Sequence, residues 1–192
     1  MLIREDDVNL LFAAAADICK FFDSKGWNYC VIGGLALQRW GEPRTTLDVD
    51  LTLLTQFGNE QKYIDAILAN YESRVADAPA FALRNRILLI KAKNGKDVDV
   101  ALGGLPFEEE MIARAAPFTF AEGVTLRTCS ADDLFIMKIF AGRPKDIGDA
   151  EWIAVRQKLD AAYITRHLEF LLDAKGASEM MDIARKLLRG RS

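Results

Sequence analysis

Aspartate is a poor strand former, yet this chain sets two Asp-x-Asp pairs, Asp48-Val49-Asp50 and Asp97-Val98-Asp99, inside apolar runs that otherwise read as strands. Side chains alternate across a strand, so Asp48 and Asp50 leave one face while Leu47, Val49 and Leu51 leave the other. Asp97 and Asp99 share a face of their own strand in the same way. A single pair is explained by the polar side of a half-exposed strand; two pairs on separate strands need a further cause. Adjacent carboxylates repel unless positive charge lies between them, and that asks for a divalent cation with oxygen ligands.

The first pair closes the stretch from Val31 to Leu54, VIGGLALQRWGEPRTTLDVDLTLL. It reads as a short apolar strand, a Gly33-Gly34 turn, a helical segment over Leu35–Trp40, a polar loop carrying Arg44, and a second strand over Leu47–Leu54. A diglycine opening a helix presents backbone N–H groups to a phosphate. By itself it is an ordinary strand-to-helix turn, but beside the carboxylates it suggests a site for a metal and a nucleotide.

Around this stretch the periodicity predicts a helix over Glu5–Phe22, with Val8, Leu11, Phe12, Ala15, Ile18, Cys19 and Phe22 on its buried stripe, and a strand over Trp27–Ile32. A second long helix is expected over Gly58–Tyr71. The segment Glu72–Leu83 is weakly patterned and reads as loop. Arg86–Lys91 and Asp97–Leu102 form a hairpin around Asn94-Gly95. A helix follows over Phe107–Ala115, then one strand over Phe118–Thr128, bent at Gly123. Ser130 reads as an N-cap with Asp132 and Asp133 in the first turn, favourable to the helix dipole. Helices are expected over 132–140, 149–158, 163–174 and 178–188.

The expected fold is therefore α/β (α+β): a small mixed sheet flanked by helices over residues 1–129, then a helical portion over 130–192 that closes over a bound nucleotide, with the cleft between the two. A chain of 192 residues suffices for this arrangement.

Composition removes several alternatives. No apolar run approaches the length of a membrane span, and the opening MLIREDDVNL lacks the basic flank and apolar centre of a signal peptide, so cytoplasmic residence is the expectation. Three scattered cysteines, Cys19, Cys30 and Cys129, fit buried thiols better than disulfides or zinc, and the lone His167 excludes a histidine cluster. A net charge of −3 gives no global attraction to nucleic acid. Arg185, Lys186, Arg189 and Arg191 are read as a solvated helix face, and the one place where a polyanion could dock. Trp27, Trp40 and Trp152 are read as packing residues.

A glycine pair leading into a helix, a strand with Asp-x-Asp and a later strand with a third Asp together resemble the DNA polymerase β nucleotidyltransferase superfamily. Arg44-Thr45-Thr46-Leu47-Asp48-Val49-Asp50 and the later Lys138…Arg143-Pro144-Lys145-Asp146…Asp149 are similar to its AbiEii/AbiGii toxin-like branch. The resemblance implies a polymerase β-like core in which Asp48, Asp50 and Asp99 are catalytic and hold two Mg2+ ions, or Mn2+, with an NTP as substrate. Asp97 shares the face of Asp99 but lies nearer the hairpin turn. Gly33 and Gly34 would approach the triphosphate; many relatives carry a serine at the second place, so only backbone donors serve here. Lys138, Arg143 and Lys145 would direct charge at the phosphates, with Asp146 and Asp149 positioning them. Arg44 would either contact phosphate or pair with Asp48 or Asp50. For Lys138 the plain alternative is a lysine snorkelling at the edge of a core.

The resulting expectation is transfer of an NMP to a hydroxyl acceptor. That acceptor is an RNA such as tRNA if the toxin-like relationship extends to function, with an antitoxin protein as partner. It is a small molecule in the antibiotic-modifying alternative, and a third reading is a non-catalytic nucleotide-binding subunit.

Overall fold

The computed structural model describes the backbone of residues 5–190 and the side chains of residues 10–190. Val8 of the first apolar stripe and Arg191 of the basic end lie outside the described side chains. The chain divides into two compact units: Met1–Leu35 with Thr45–Cys129, and Ala36–Arg44 with Ser130–Ser192.

The first unit is built on a seven-stranded mixed sheet. Its strands are β1 (Tyr29–Val31), β2 (Asp48–Leu54), β3 (Glu72–Ser73), β4 (Ile87–Lys91), β5 (Asp97–Gly103), β6 (Ala116–Ala121) and β7 (Val124–Thr128), in the order β3-β4-β5-β2-β1-β7-β6. β2 runs parallel to β5 and β1 parallel to β7, while the other pairings are antiparallel. The helices are α1 (Glu5–Ser24), α2 (Gly33–Trp40), which crosses from one unit into the other, α3 (Glu60–Leu68), α4 (Ala78–Asn85) and α5 (Pro106–Arg114).

Alternation along the strands decides where the core lies. Val49, Leu51 and Leu53 of β2 and Val98, Val100 and Leu102 of β5 point to one face, fully or almost fully buried. They form one cluster with Ile18 and Phe22 of α1 and Ile64 and Ile67 of α3. Burying a side chain of this size contributes roughly 1.5–3 kcal/mol, and this contribution fastens helices to that face. Phe21, Phe22, Trp27, Tyr63 and Tyr71 add a run of tilted and edge-on ring contacts at 4.8 to 6.0 Å, so Trp27 is a packing residue. The other face carries the aspartates and is covered by α5 where β2 ends.

Two local expectations are corrected. Glu72–Leu83 is not loop: it holds β3 and most of α4. The α4 face buried in the core consists of Ala78 and Ala82, while Leu83 is 44% exposed, so the apolar spacing that announces a helix is absent. Phe118–Thr128 is not one bent strand but the hairpin β6–β7, turned at Glu122-Gly123 with Gly123 at φ +72. A glycine in the left-handed region reverses the chain where a bend would continue it.

The second unit contains α6 (Ala131–Ala141), α7 (Pro144–Arg156), α8 (Ala161–Lys175) and α9 (Met180–Arg189). Ser130 caps α6 as expected, its Oγ accepting from the Asp133 N–H at 3.2 Å. Asp133 is fully buried and its carboxylate accepts from the Tyr163 hydroxyl at 2.7 Å, tying α6 to α8. α7 begins at Pro144, five residues earlier than its apolar period suggested, because proline presets the backbone angle of a first helical turn and has no N–H to leave unpaired there. Among the described residues no helix is long and apolar enough to cross a membrane.

Candidate active site

β2 and β5 pair so that Asp48 faces Asp97 and Asp50 faces Asp99. Register partners leave a sheet on the same side, so four carboxylates share one face across two neighbouring strands. Asp48, Asp50 and Asp99 each offer an oxygen within 4.8 Å of the others, and all three are partly exposed. Asp97 is not of that group: it lies 3.1 Å from the Lys91 ammonium and 3.4 Å from the Arg74 guanidinium, at the hairpin end of β5.

The turn before α2 is built against this cluster. Ile32 N–H donates to the Asp50 carbonyl at 2.9 Å, bringing the end of β1 beside β2. Gly33 then takes φ +61, and a Cβ there would overlap the Asp50 carboxylate. At Gly34 a Cβ would overlap Thr46, whose hydroxyl donates to the Asp48 carboxylate at 3.0 Å. Both glycines lie inside α2, which starts at Gly33 and not at Leu35. Their lack of side chains is therefore required for the carboxylates to stand where they do.

Burial pushes the Asp99 carboxyl above the usual carboxylate range; the Arg74 guanidinium on its Oδ1 pulls it back, and Asp48 and Asp97 push it further up. Sequence reading missed Arg74, which falls in the stretch taken as loop. It also gave no role to Thr46, which lies inside the Arg44–Asp50 motif. Nothing in the local pattern announces Arg74.

Three oxygen ligands on one Mg2+ lie at most about 4.2 Å apart, twice the usual Mg–O distance, so the observed convergence is within small side-chain rotations of a metal cage. The donor set is entirely hard carboxylate oxygen, which suits Mg2+ or Mn2+ and does not suit a soft thiophilic metal. The residues present fit such an ion.

The cations expected to meet phosphate are gathered in the second unit, around two aspartates. Lys138 is 6% exposed and lies 3.1 Å from Asp146 and 2.8 Å from Asp149. Arg44 donates through Nε and Nη2 to Asp149 at 2.9 and 3.0 Å, and Arg143 pairs with Asp146. The Arg44 fork is taken by Asp149, 105 residues away. Lys138 is not a snorkelling lysine, because its ammonium ends among buried carboxylates. Burial pushes both aspartates up, but Arg143 and Lys138 on Asp146, and Arg44 and Lys138 on Asp149, outweigh it and hold both below the usual range. Lys145 is exposed on the first turn of α7.

Cys19, Cys30 and Cys129 are buried free thiols, as expected; burial pushes Cys19 up to about 12. His167 is 8% exposed and packs at a tilt against Tyr163, with ring centroids 4.4 Å apart.

Residues 9–185 match a family described as a nucleotidyltransferase of unknown function, DUF6036. No curated protein shows significant sequence similarity to the chain. Among solved structures, an antigenic nucleotidyltransferase-like protein from Paracoccidioides brasiliensis superposes with a TM-score of 0.53 at 16% identity, covering 94% of each chain. A lincosamide antibiotic adenylyltransferase bound to lincomycin gives a TM-score of 0.49 at 11% identity, covering 81% of this chain and 99% of that one. A CCA-adding enzyme from Thermotoga maritima in complex with tRNA gives 0.40 at 15%, covering 97% of this chain and 48% of its own. The first of these carries the fold; the other two are too distant to carry an argument.

Proposed function

This chain belongs to the DUF6036 nucleotidyltransferase family, and from that premise we propose that it transfers a nucleoside monophosphate from an NTP to a hydroxyl acceptor, releasing pyrophosphate. The observation that carries this is the convergence of Asp48, Asp50 and Asp99 from two separate strands.

In this reading Asp48, Asp50 and Asp99 hold Mg2+ or Mn2+, two ions by the superfamily resemblance. Such ions neutralise the triphosphate and the departing pyrophosphate and make the acceptor hydroxyl more acidic. Asp99 takes the proton of that hydroxyl; the acceptor oxygen bonds to the α-phosphorus, and the bond from that phosphorus to the β-phosphate oxygen breaks. Gly33 and Gly34 place backbone, free of side chains, where the triphosphate approaches. Arg44, Lys138, Arg143 and Lys145 are assigned to the phosphates by the motif resemblance alone, and Lys138 is already paired with Asp146 and Asp149.

For the acceptor, similarity of the Arg44–Asp50 and Lys138–Asp149 segments to the toxin-like branch favours an RNA such as tRNA, with an antitoxin as partner. A small hydroxylated molecule is the second reading. It is favoured by the net charge of −3 and by the neutralisation of Lys138 and Arg44 by Asp146 and Asp149, which leaves less cationic surface for a polyanion.

Incubation with each α-labelled NTP and Mg2+ or Mn2+, with total RNA in one arm and a panel of hydroxylated small molecules in the other, tests the reading. Label on RNA supports the first acceptor and label on a small compound the second. Absence of transfer in both arms, with nucleotide still bound, refutes the enzymatic assignment.

A further inference from the structure

We propose that Arg74 is an internal counter-ion of the Asp48–Asp50–Asp99 cluster, and that it makes loading of the cluster with a divalent cation depend on the nucleotide. The inference rests on the reading of that cluster as a metal site.

Arg74 follows β3 directly, and its N–H donates to the Leu89 carbonyl of β4 at 3.0 Å. Leu89 is the register partner of Asp99. The backbone therefore sets Arg74 level with Asp99 but two strands away, at about 10 Å by ordinary strand spacing. The side chain crosses β4 to close that gap. Its Nη1 donates to Asp99 Oδ1, while Nε stands 3.4 Å from Asp97 Oδ2. Asp97 has a second cation, Lys91, at 3.1 Å. Asp99 is the carboxylate that couples Arg74 to the cluster.

Two consequences follow from charge alone. First, an entering cation meets a guanidinium on one of its own ligands, and that like charge opposes it across a short distance. The guanidinium cannot shed its proton to relieve the conflict, whereas a lysine or histidine in its place could do so. Second, a triphosphate arriving with the cation brings several negative charges, which attract both the cation and Arg74 and so remove the penalty. Metal alone should bind weakly, and metal with nucleotide strongly. With Arg74 in place, part of the repulsion among the carboxylates is offset before any metal binds, so the cluster can fold without its ion.

The test is Mn2+ binding followed by the electron paramagnetic resonance of free Mn2+. It is run on the full chain with and without an NTP analogue carrying a methylene bridge between the α and β phosphates, and corrected for the binary Mn2+–analogue complex. Wild type is expected to bind Mn2+ at least tenfold more tightly when the analogue is present. Arg74→Gln is expected to bind Mn2+ alone about tenfold more tightly than wild type, with the gain from nucleotide reduced by a similar factor. Arg74→Lys, whose ammonium keeps a charge but can give up its proton, should fall between wild type and Arg74→Gln. Unchanged or weaker Mn2+ binding by Arg74→Gln overturns the proposal. So does a wild-type affinity indifferent to the analogue, a result that needs no variant to fold. Asp48→Asn separates the two layers of the argument: if it binds Mn2+ as tightly as wild type, the metal-site reading itself fails.

Discussion

Asp50 and Asp99 are direct register partners on adjacent parallel strands, β2 and β5, with the Asp99 carboxylate also held by Arg74. Like charges in this position destabilise a sheet, and the Arg74 guanidinium on Asp99 offsets only part of that repulsion. Their repulsion is the clearest sign that the site is built for something other than stability.

The first prediction follows from that repulsion. Asp48→Asn should reduce nucleotidyl transfer more than about 100-fold, since removing even an outer partner of a metal ligand costs about 10–100-fold. Its unfolding midpoint should stay level or rise, because one of the mutually repelling charges is gone. A variant that lost both activity and stability would point to a structural carboxylate.

Gly33 and Gly26 form a matched pair. Both take a positive φ, +61 and +65, but a Cβ at Gly33 overlaps Asp50 whereas one at Gly26 meets nothing within 4 Å. Alanine at either position should cost about 1–2 kcal/mol for the left-handed backbone. Only Gly33→Ala should also abolish transfer, by displacing Asp50. Chemical denaturation and turnover measured on both variants check this; equal activity in the two would remove Gly33 from the site.

Lys138 is held by two aspartates in the interior of the second unit. Lys138→Met leaves Asp146 and Asp149 with a cation missing, and removing one member of a buried charge cluster typically costs about 3–5 kcal/mol. We expect a marked fall in thermal midpoint, measured by circular dichroism. A lysine whose only task was to meet phosphate would give the opposite pattern: an unchanged midpoint with a raised KM for the nucleotide.

The same aspartates set an acid limit on the fold. Asp146 and Asp149 have native pKa values below the ordinary carboxylate value of about 3.9, so the unfolded chain binds their protons more readily than the folded one. Their stabilisation is complete above the ordinary value and drains as pH falls through the lower native values. Wild type should lose stability steeply below about pH 4. Asp149→Asn, less stable at neutral pH, should lose less on further acidification. Denaturant titrations at a series of pH values measure both slopes; parallel slopes would contradict the assignment.

Much of this molecule is legible in its local pattern. Alternation placed Asp48 with Asp50 and Asp97 with Asp99 on single faces, Asn94-Gly95 announced the β4–β5 hairpin, and Ser130 announced the start of α6. Each depends on a period or a turn contained within about ten residues, so the sequence alone suffices. α4 escaped because its buried face is made of alanines, and the β6–β7 hairpin because its turn carries one glycine where a bend would carry the same.

Beyond the β4–β5 hairpin, the tertiary structure alone decided which strands lie side by side and which cations meet which carboxylates. The parallel pairing of β2 with β5 in the register that sets Asp50 opposite Asp99 closes a loop of about fifty residues. Asp149 takes Arg44 from 105 positions away, and Arg74 crosses a whole strand to reach Asp99. A charge finds its partner by burial and reach once the chain has closed, and no local period encodes either.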